Sequence, residues 1–321
     1  MNPTFFIFIS LLTVCSLSSC FNDASSSTTS SEALLKDSIN IDLSQYKAVK
    51  HVVNPKELLA WQADTNQHVV LIDIRKKEAY DQGHLIGAHQ VWRPAIRSTA
   101  YPFKGMMLEK DDLAQLLGSL GATAKSKLVL YDAKGNADAI RLWWMLAVYG
   151  HPEAYILNGG LLNMEEKHMT FLPTTAEPAT FVFSSPERPE LLATKDMVIN
   201  AMEDNNILLL DCRTLDEFTG KIMQKDAFRA GHIPSAVRIE HSEAIAYERS
   251  STFRDYEDLK KRFATLPKDK NIIVYCQSGV RSAHTTFILR ELLGYTNVSN
   301  YDGSWIEWSY DENLPIETTE S

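Results

Sequence analysis

Two kinds of apolar segment alternate along the chain. Val69 to Ile72, Lys127 to Tyr131, Ala154 to Leu157, Ile207 to Leu210 and Asn271 to Tyr275 are short and nearly continuous, the pattern of strands buried on both faces of a parallel sheet. Between them, Pro55 to Trp61, Lys110 to Leu120, Ala137 to Tyr149, Asp196 to Met202 and Tyr256 to Leu266 carry apolar residues at helical intervals. Alternating strands and helices predict an α/β fold, a central parallel sheet flanked by helices. The order occurs twice. Asn158-Gly159-Gly160 begins 26 residues after Asp132, and Asp302-Gly303-Ser304 begins 26 residues after Cys276, so the two registers lie 144 positions apart. An internal duplication follows. Phe171 to Pro189 holds Pro173, Pro178, Pro186 and Pro189 and reads as the connection between the copies. The expected division is a first domain over 49–170, a linker over 171–190 and a second domain over 191–318.

Composition adds limits. A chain of 321 residues, 45% hydrophobic and 23% charged, has apolar material for two ordinary cores. Its net charge of −9 argues against broad electrostatic binding to nucleic acid or an anionic membrane, so an anionic substrate would need a local site. Phe5 to Leu17 is apolar but shorter than the roughly 20 residues that span a bilayer, and suits the core of an export signal. It ends in Leu17-Ser18-Ser19-Cys20, which resembles the lipobox of bacterial lipoprotein signals, although no Lys or Arg precedes it. The expectation is a signal over 1–20, a Ser/Thr-rich tether over 21–48, and an exported protein on the periplasmic or cell-surface side of a membrane. Its only membrane contact would be a lipid on Cys20. A plain secretory peptide and an uncleaved anchor are the competing readings. With Cys15 removed and Cys20 lipidated, only Cys212 and Cys276 remain. That excludes a disulfide framework and a cysteine zinc site, and leaves a Cys212–Cys276 bridge as the lesser reading.

Cys276 closes the run Asn271 to Tyr275, and Gln277-Ser278-Gly279-Val280-Arg281-Ser282 leads into a periodic segment from Ala283. Strand, tight loop and helix start can aim backbone N–H groups at one point, with the positive end of the helix behind them. A thiol there, with the Arg281 cation nearby, would ionise below its ordinary pKa of about 8.5. Most cysteines at strand ends are inert core residues. Gly279 between Ser278 and Ser282 argues instead for a loop that wraps something.

The ordered motifs resemble the rhodanese domain in both halves. In the first they are Asp73-x-Arg75, Gly83-His84 with Gly87-Ala88, Tyr131-Asp132, Arg141 to Met145 and Leu157 to Gly160; in the second, Asp211-x-Arg213, Gly231 to Pro234, Tyr275-Cys276 with its loop, and Tyr301 to Trp308. The arrangement is similar to the two-domain thiosulfate and 3-mercaptopyruvate sulfurtransferases, and each half is then expected to hold one rhodanese-like domain. Asp132 stands where the second half has Cys276, so the resemblance implies a silent first domain and one active site.

It further implies that Cys276 takes a sulfane sulfur from thiosulfate as a persulfide and passes it to cyanide or a thiol. Substrate-binding roles fall to Gln277, Ser278, Gly279, Val280, Arg281, Ser282 and Arg213. Arg281 and Ser278 are expected to meet the donor's sulfonate, Asp211 and Arg213 to pair beneath the loop, and His232 to fix a neighbouring loop. No cofactor and no metal are implied, and a monomer is expected. Related cysteine phosphatases carry Cys-x5-Arg, a wider cradle for a phosphoryl group, whereas this loop is Cys-x4-Arg. Mercaptopyruvate enzymes carry Gly-Ser/Thr-Gly after the cysteine, which this loop lacks, and Glu217 stands where two-domain members often place an arginine. A mercaptopyruvate donor, and a persulfide carrier without rapid turnover, are the alternatives.

Overall fold

The computed structural model describes residues 38–318; the expected signal, Cys20 and most of the tether lie outside them. The first half runs β1 (Val52–Val53), α1 (Pro55–Ala63), β2 (Val69–Asp73), α2 (Lys77–Asp81), β3 (His84–Leu85), β4 (Ala88–Gln90), α3 (Lys110–Ser119), β5 (Lys127–Tyr131), α4 (Ala137–Val148), β6 (Ala154–Leu157) and β7 (Met169–Thr170). The second runs β8 (Leu192–Ala193), α5 (Lys195–Ala201), β9 (Ile207–Asp211), α6 (Leu215–Phe218), β10 (Val237–Arg238), β11 (Ile245–Ala246), β12 (Thr252–Phe253), α7 (Tyr256–Arg262), β13 (Asn271–Tyr275), α8 (Val280–Phe287), β14 (Val298–Tyr301) and α9 (Ser304–Tyr310). Each half builds a five-stranded sheet, ordered β1-β6-β5-β2-β4 and β10-β9-β13-β14-β8. Every pairing within them is parallel. Read from opposite ends, the two orders correspond strand for strand.

Strand positions follow the apolar runs closely, and the differences have local causes. The helix expected to reach Leu266 ends at Arg262, because Leu266 precedes Pro267 and that step disfavours helical backbone. The helix after Cys276 begins at Val280 rather than Ala283, since Gly279 (φ 77°) turns the chain directly into it. Arg281 and Ser282 therefore belong to a helical first turn. β14 is buried along its whole length although it reads Val-Ser-Asn-Tyr. Its polar residues hid it from apolar periodicity, and Asn300 is there to hydrogen-bond the active loop. The proline-rich connection runs extended against the first half, with the Ala179 amide donating to Gly118 O at 2.9 Å and Phe181 buried.

All residues of α4 from Ala139 to Val148 are buried, as expected of a helix apolar on every side. One face meets its own sheet and another meets α8, where the Trp143 and Phe287 rings stand edge to face at 4.6 Å. A single apolar core thus runs through Leu130 and Trp144 into Val274, Phe287 and Ile288. Phe287→Ala is expected to cost about 3–5 kcal/mol in urea denaturation. Because the core is shared, circular dichroism and tryptophan fluorescence should still report one coincident transition for both halves.

Candidate active site

β13 delivers Cys276 to the C-terminal edge of the second sheet, and the chain turns at Gly279 into α8. The backbone of this turn is clamped from two sides. From the closing turn, the Ser304 hydroxyl accepts the amides of Cys276 (3.2 Å) and Gly279 (3.0 Å) and donates to Tyr301 O at 2.7 Å. The amides of Trp305 and Ile306 donate to the carbonyls of Cys276 and Gln277, each at 3.0 Å. Ser304 does this from a left-handed conformation (φ 51°) that costs a non-glycine residue energy; its counterpart in the first half is Gly160. From the first half comes Arg141, which donates to Gly279 O (3.3 Å) and Gly105 O (2.9 Å) and pairs with Asp302. The other Asp302 oxygen accepts the Met107 amide at 2.9 Å. A Cβ on Gly279 would lie 2.6 Å from Arg141 Nη1, so the close approach requires glycine.

Cys276 is 1% exposed. Burial alone would raise its pKa, but the neighbouring Cys212 thiol, the Arg281 charge, and the hydroxyl and amide of Ser282 together hold it well below the ordinary thiol range. The Ser282 hydroxyl lies 3.4 Å from the sulfur. The first half supplies an internal comparison. There the Asp132 carboxylate accepts the amides of Lys134, Asn136 and Asp138 at 2.7, 2.9 and 3.1 Å. These are its second, fourth and sixth successors, and after Cys276 the same positions are Ser278, Val280 and Ser282. The turn is built to hold negative charge. Even so, burial and Asp138 push Asp132 up to about 6.

Of the expected substrate contacts, Ser282 and Arg281 act on the sulfur, and Gln277, Ser278 and Val280 line a cavity of about 200 Å³ between the halves. Gly279 is buried in the turn. Arg281 does not present a free fork. Its Nη1 and Nη2 each bind a Glu217 oxygen at 2.7 Å. Burial would raise the Glu217 pKa, but Arg281 and Thr214 bring it down to about 2. Glu217 also closes the capping box that starts α6. The end-on donors that Arg281 was expected to turn to the substrate are thus paired with a buried carboxylate in this structure.

Arg213, also expected at the substrate, is turned inward. It is 2% exposed and donates to Asp211 (2.6 Å) and Gly231 O (2.8 Å). Arg75 of the first half makes the same contacts to Asp73 (2.6 Å) and Gly83 O (2.7 Å). In both halves the arginine braces the strand end. His232 bonds Phe218 O at 2.8 Å and stacks on that ring, as His84 does with Tyr80.

Positive charge at the cavity comes from residues that motif reading did not reach. Arg93, Arg97, Lys104 and Lys225 join its wall. Arg93 pairs with Asp138 and Lys104 with Asp226; among the described residues Arg97 and Lys225 have no carboxylate partner. Ser304 and Arg141 were visible only as motif letters. The replacement of Gly160 by Ser304 between the copies is the signal that marked one of them.

With this geometry in view, comparison with known proteins gives one family. The rhodanese-like domain model matches residues 54–167 and again 194–311. The chain belongs to the rhodanese family, with one such domain in each half. A curated relative is 34% identical over 269 residues, covering 79% of this chain and 95% of its own: the protein named "Putative thiosulfate sulfurtransferase 1" of Mycobacterium bovis. Another, "Sulfur carrier protein TtuD" of Thermus thermophilus, is 32% identical over 258 residues, covering 74% of this chain and 86% of its own. Among solved structures, the anaerobic ergothioneine biosynthesis enzyme of Chlorobium limicola superposes with a TM-score of 0.74 at 23% identity, over 84% of this chain and 71% of that one. That likeness concerns the fold.

The thiolate environment has a pH consequence. Alkylation of Cys276 by iodoacetamide should keep its rate well below pH 8.5, the ordinary thiol midpoint being about that value, and fall only as the thiolate gains a proton. Ser282→Ala removes a donor that favours the thiolate. The midpoint of the alkylation profile should therefore rise, by roughly one pH unit for a charge-assisted bond of about 1.5 kcal/mol.

Proposed function

We propose that this chain is a sulfurtransferase that moves a sulfane sulfur from thiosulfate to cyanide or a thiol through a persulfide on Cys276. The observation that carries the reading is the turn itself. It holds a carboxylate in one copy and a thiol with a depressed pKa in the other, and the amide of Asp138 on the carboxylate has its counterpart in the amide of Ser282 on the thiol. A cradle for negative charge around a buried sulfur suits both a thiolate and a persulfide anion.

In the first step the Cys276 thiolate attacks the outer sulfur of thiosulfate. A Cys276–sulfur bond forms, the sulfur–sulfonate bond breaks, and sulfite departs with the electron pair. In the second step cyanide attacks the outer persulfide sulfur and leaves as thiocyanate, returning the thiolate. No general base is required, because the nucleophile is already ionised. A dianionic donor must approach a protein of net charge −9. Arg97 and Lys225 on the cavity wall are the cations suited to attract it, with Gln277 and Ser278 at the same wall.

One specific observation favours a second reading. Cys276 is 1% exposed, and a relative is named a sulfur carrier, so the chain could hold its persulfide for a partner rather than turn over rapidly. Incubation with thiosulfate and cyanide should yield thiocyanate, and Cys276→Ala should abolish it. Stable retention of one extra sulfur with negligible thiocyanate would favour the carrier instead, and undiminished turnover in Cys276→Ala would sink both. A higher kcat/KM with 3-mercaptopyruvate than with thiosulfate would reassign the donor.

The site of action proposed for the protein is outside the cytoplasm, held to a membrane through lipid on Cys20. The support is the apolar run Phe5 to Leu17 ending at Leu17-Ser18-Ser19-Cys20. Labelled palmitate should be incorporated into the wild-type chain in a bacterial host. Cys20→Ser should lose the label and leave the membrane fraction.

A further inference from the structure

Cys212 neither takes nor gives sulfur in the two-step transfer, yet the fold sets it beside Cys276. β9 and β13 pair in parallel with Leu210 opposite Val274 and Asp211 opposite Tyr275. The Cys212 amide carries the ladder one step further, donating to Tyr275 O at 3.0 Å. Side chains alternate along a strand, so Cys212 and Cys276 share the face of Leu210 and Val274, and all four enter the same core. Neighbouring strands lie about 4.8 Å apart, inside the Cα separation of about 4.4–6.8 Å that a disulfide spans. Both thiols are free and buried. The Cys212 S–H donates to Tyr275 O at 3.2 Å, and the Cys276 sulfur is close enough to help raise the Cys212 pKa.

We infer that Cys212 is a resolving thiol, which gives this site a further activity: release of the bound sulfane sulfur as hydrosulfide with closure of a Cys212–Cys276 disulfide. The inference rests on the Cys276 persulfide proposed above. Cys212 Sγ attacks Cys276 Sγ, and the bond between them forms. The bond from Cys276 Sγ to the outer sulfur breaks, and that sulfur leaves as hydrosulfide, taking the electron pair and the proton of the Cys212 thiol. The two cysteine sulfurs are oxidised to a disulfide as the sulfane sulfur is reduced to sulfide, so the step needs no outside oxidant. A dithiol reductant then restores both thiols and completes a cycle.

The surroundings fit each partner's part. Burial keeps Cys212 protonated, so it does not compete with Cys276 for the donor and has a proton to give. The turn that stabilises negative charge around Cys276 also stabilises the outer sulfur as it departs, and a better leaving group speeds thiol exchange. A waiting acceptor would divert the persulfide before resolution, and scarcity of acceptor would favour release.

The test uses the full chain, reduced, loaded in parallel with thiosulfate and with inorganic polysulfide, desalted and held without acceptor. Mass spectrometry follows the Cys276 persulfide, non-reducing peptide mapping follows the cross-link, and bimane trapping measures sulfide. The persulfide should decay while a Cys212–Cys276 peptide and one sulfide per chain appear together. Cys212→Ser should lose both products and keep its persulfide. Cys212→Ala, small and apolar in the same buried place, should behave alike and so separates loss of the thiol from a folding defect. A wild-type persulfide that lasts as long as that of the variants, or sulfide released without the cross-link, would overturn the inference. An adduct from polysulfide but not thiosulfate would refute the donor and leave resolution to be judged on the polysulfide arm. No adduct on Cys276 from either source would remove the proposed function and this inference together.

Discussion

The guanidinium of Arg141, buried between the halves, reaches the carbonyls of Gly105 and Gly279 and the carboxylate of Asp302. Taking such a pair out of water costs several kcal/mol per ion, and their attraction in the interior roughly offsets that cost. Its main contribution is therefore position rather than net stability. A planar fork with fixed donor directions holds three acceptors in one geometry, and one of them is the carbonyl of the residue that turns the chain from strand to helix. The first half thus helps set the shape of the turn that carries Cys276. Removing that half would take away a wall of the cavity and also a support for the cradle behind it.

The two copies keep a common frame. Tyr131 and Tyr275 each accept a backbone amide through the hydroxyl at 3.1 Å, from Leu85 and Ile233. The closing turns reach across: Asn158 accepts the Phe253 amide of the second half, and Asp302 the Met107 amide of the first. What differs lies at the turns. Gly135 is covered by Ile245, an apolar contact, whereas Gly279 is covered by Arg141. Asp132 brings its own charge to a ring of amides, while Cys276 acquires charge because donors surround it. The same backbone closes a turn in one copy and activates a thiol in the other.

Charge is handled at two ranges. Close to the sulfur, the donors are the Ser282 hydroxyl and amide and the Cys212 thiol, all sheltered from solvent. Arg281 adds its field, with its fork held in place by Glu217. Being buried, these contacts are little screened by salt. At the cavity wall, Arg97 and Lys225 stand in contact with water, where attraction of an anion weakens as ionic strength rises. The charge that acts on the thiol and the charge that faces the solvent are thereby separated.

The sequence by itself determined the α/β architecture, the duplication, the five main apolar strands and the contrast of Cys276 with Asp132. Each is written in local pattern: continuous apolar runs, helical spacing, and a cysteine and an aspartate at equivalent places in two copies. β14 escaped because its buried residues include Ser299 and Asn300, of which Asn300 bonds the active loop, so no apolar run marks it. Partnerships across the fold were also out of reach. Arg281 looked available for substrate until Glu217, 64 residues earlier in the chain, was found on its fork. Arg213 looked like a substrate contact until its twin Arg75 was seen making the same brace. Cys212 and Cys276 are likewise 64 residues apart, and only the register of β9 against β13 makes them neighbours. Spacing along a chain constrains which residues share an element, but which elements lie side by side is decided by burying their apolar faces together. Only the tertiary structure, therefore, sets a second thiol against the first.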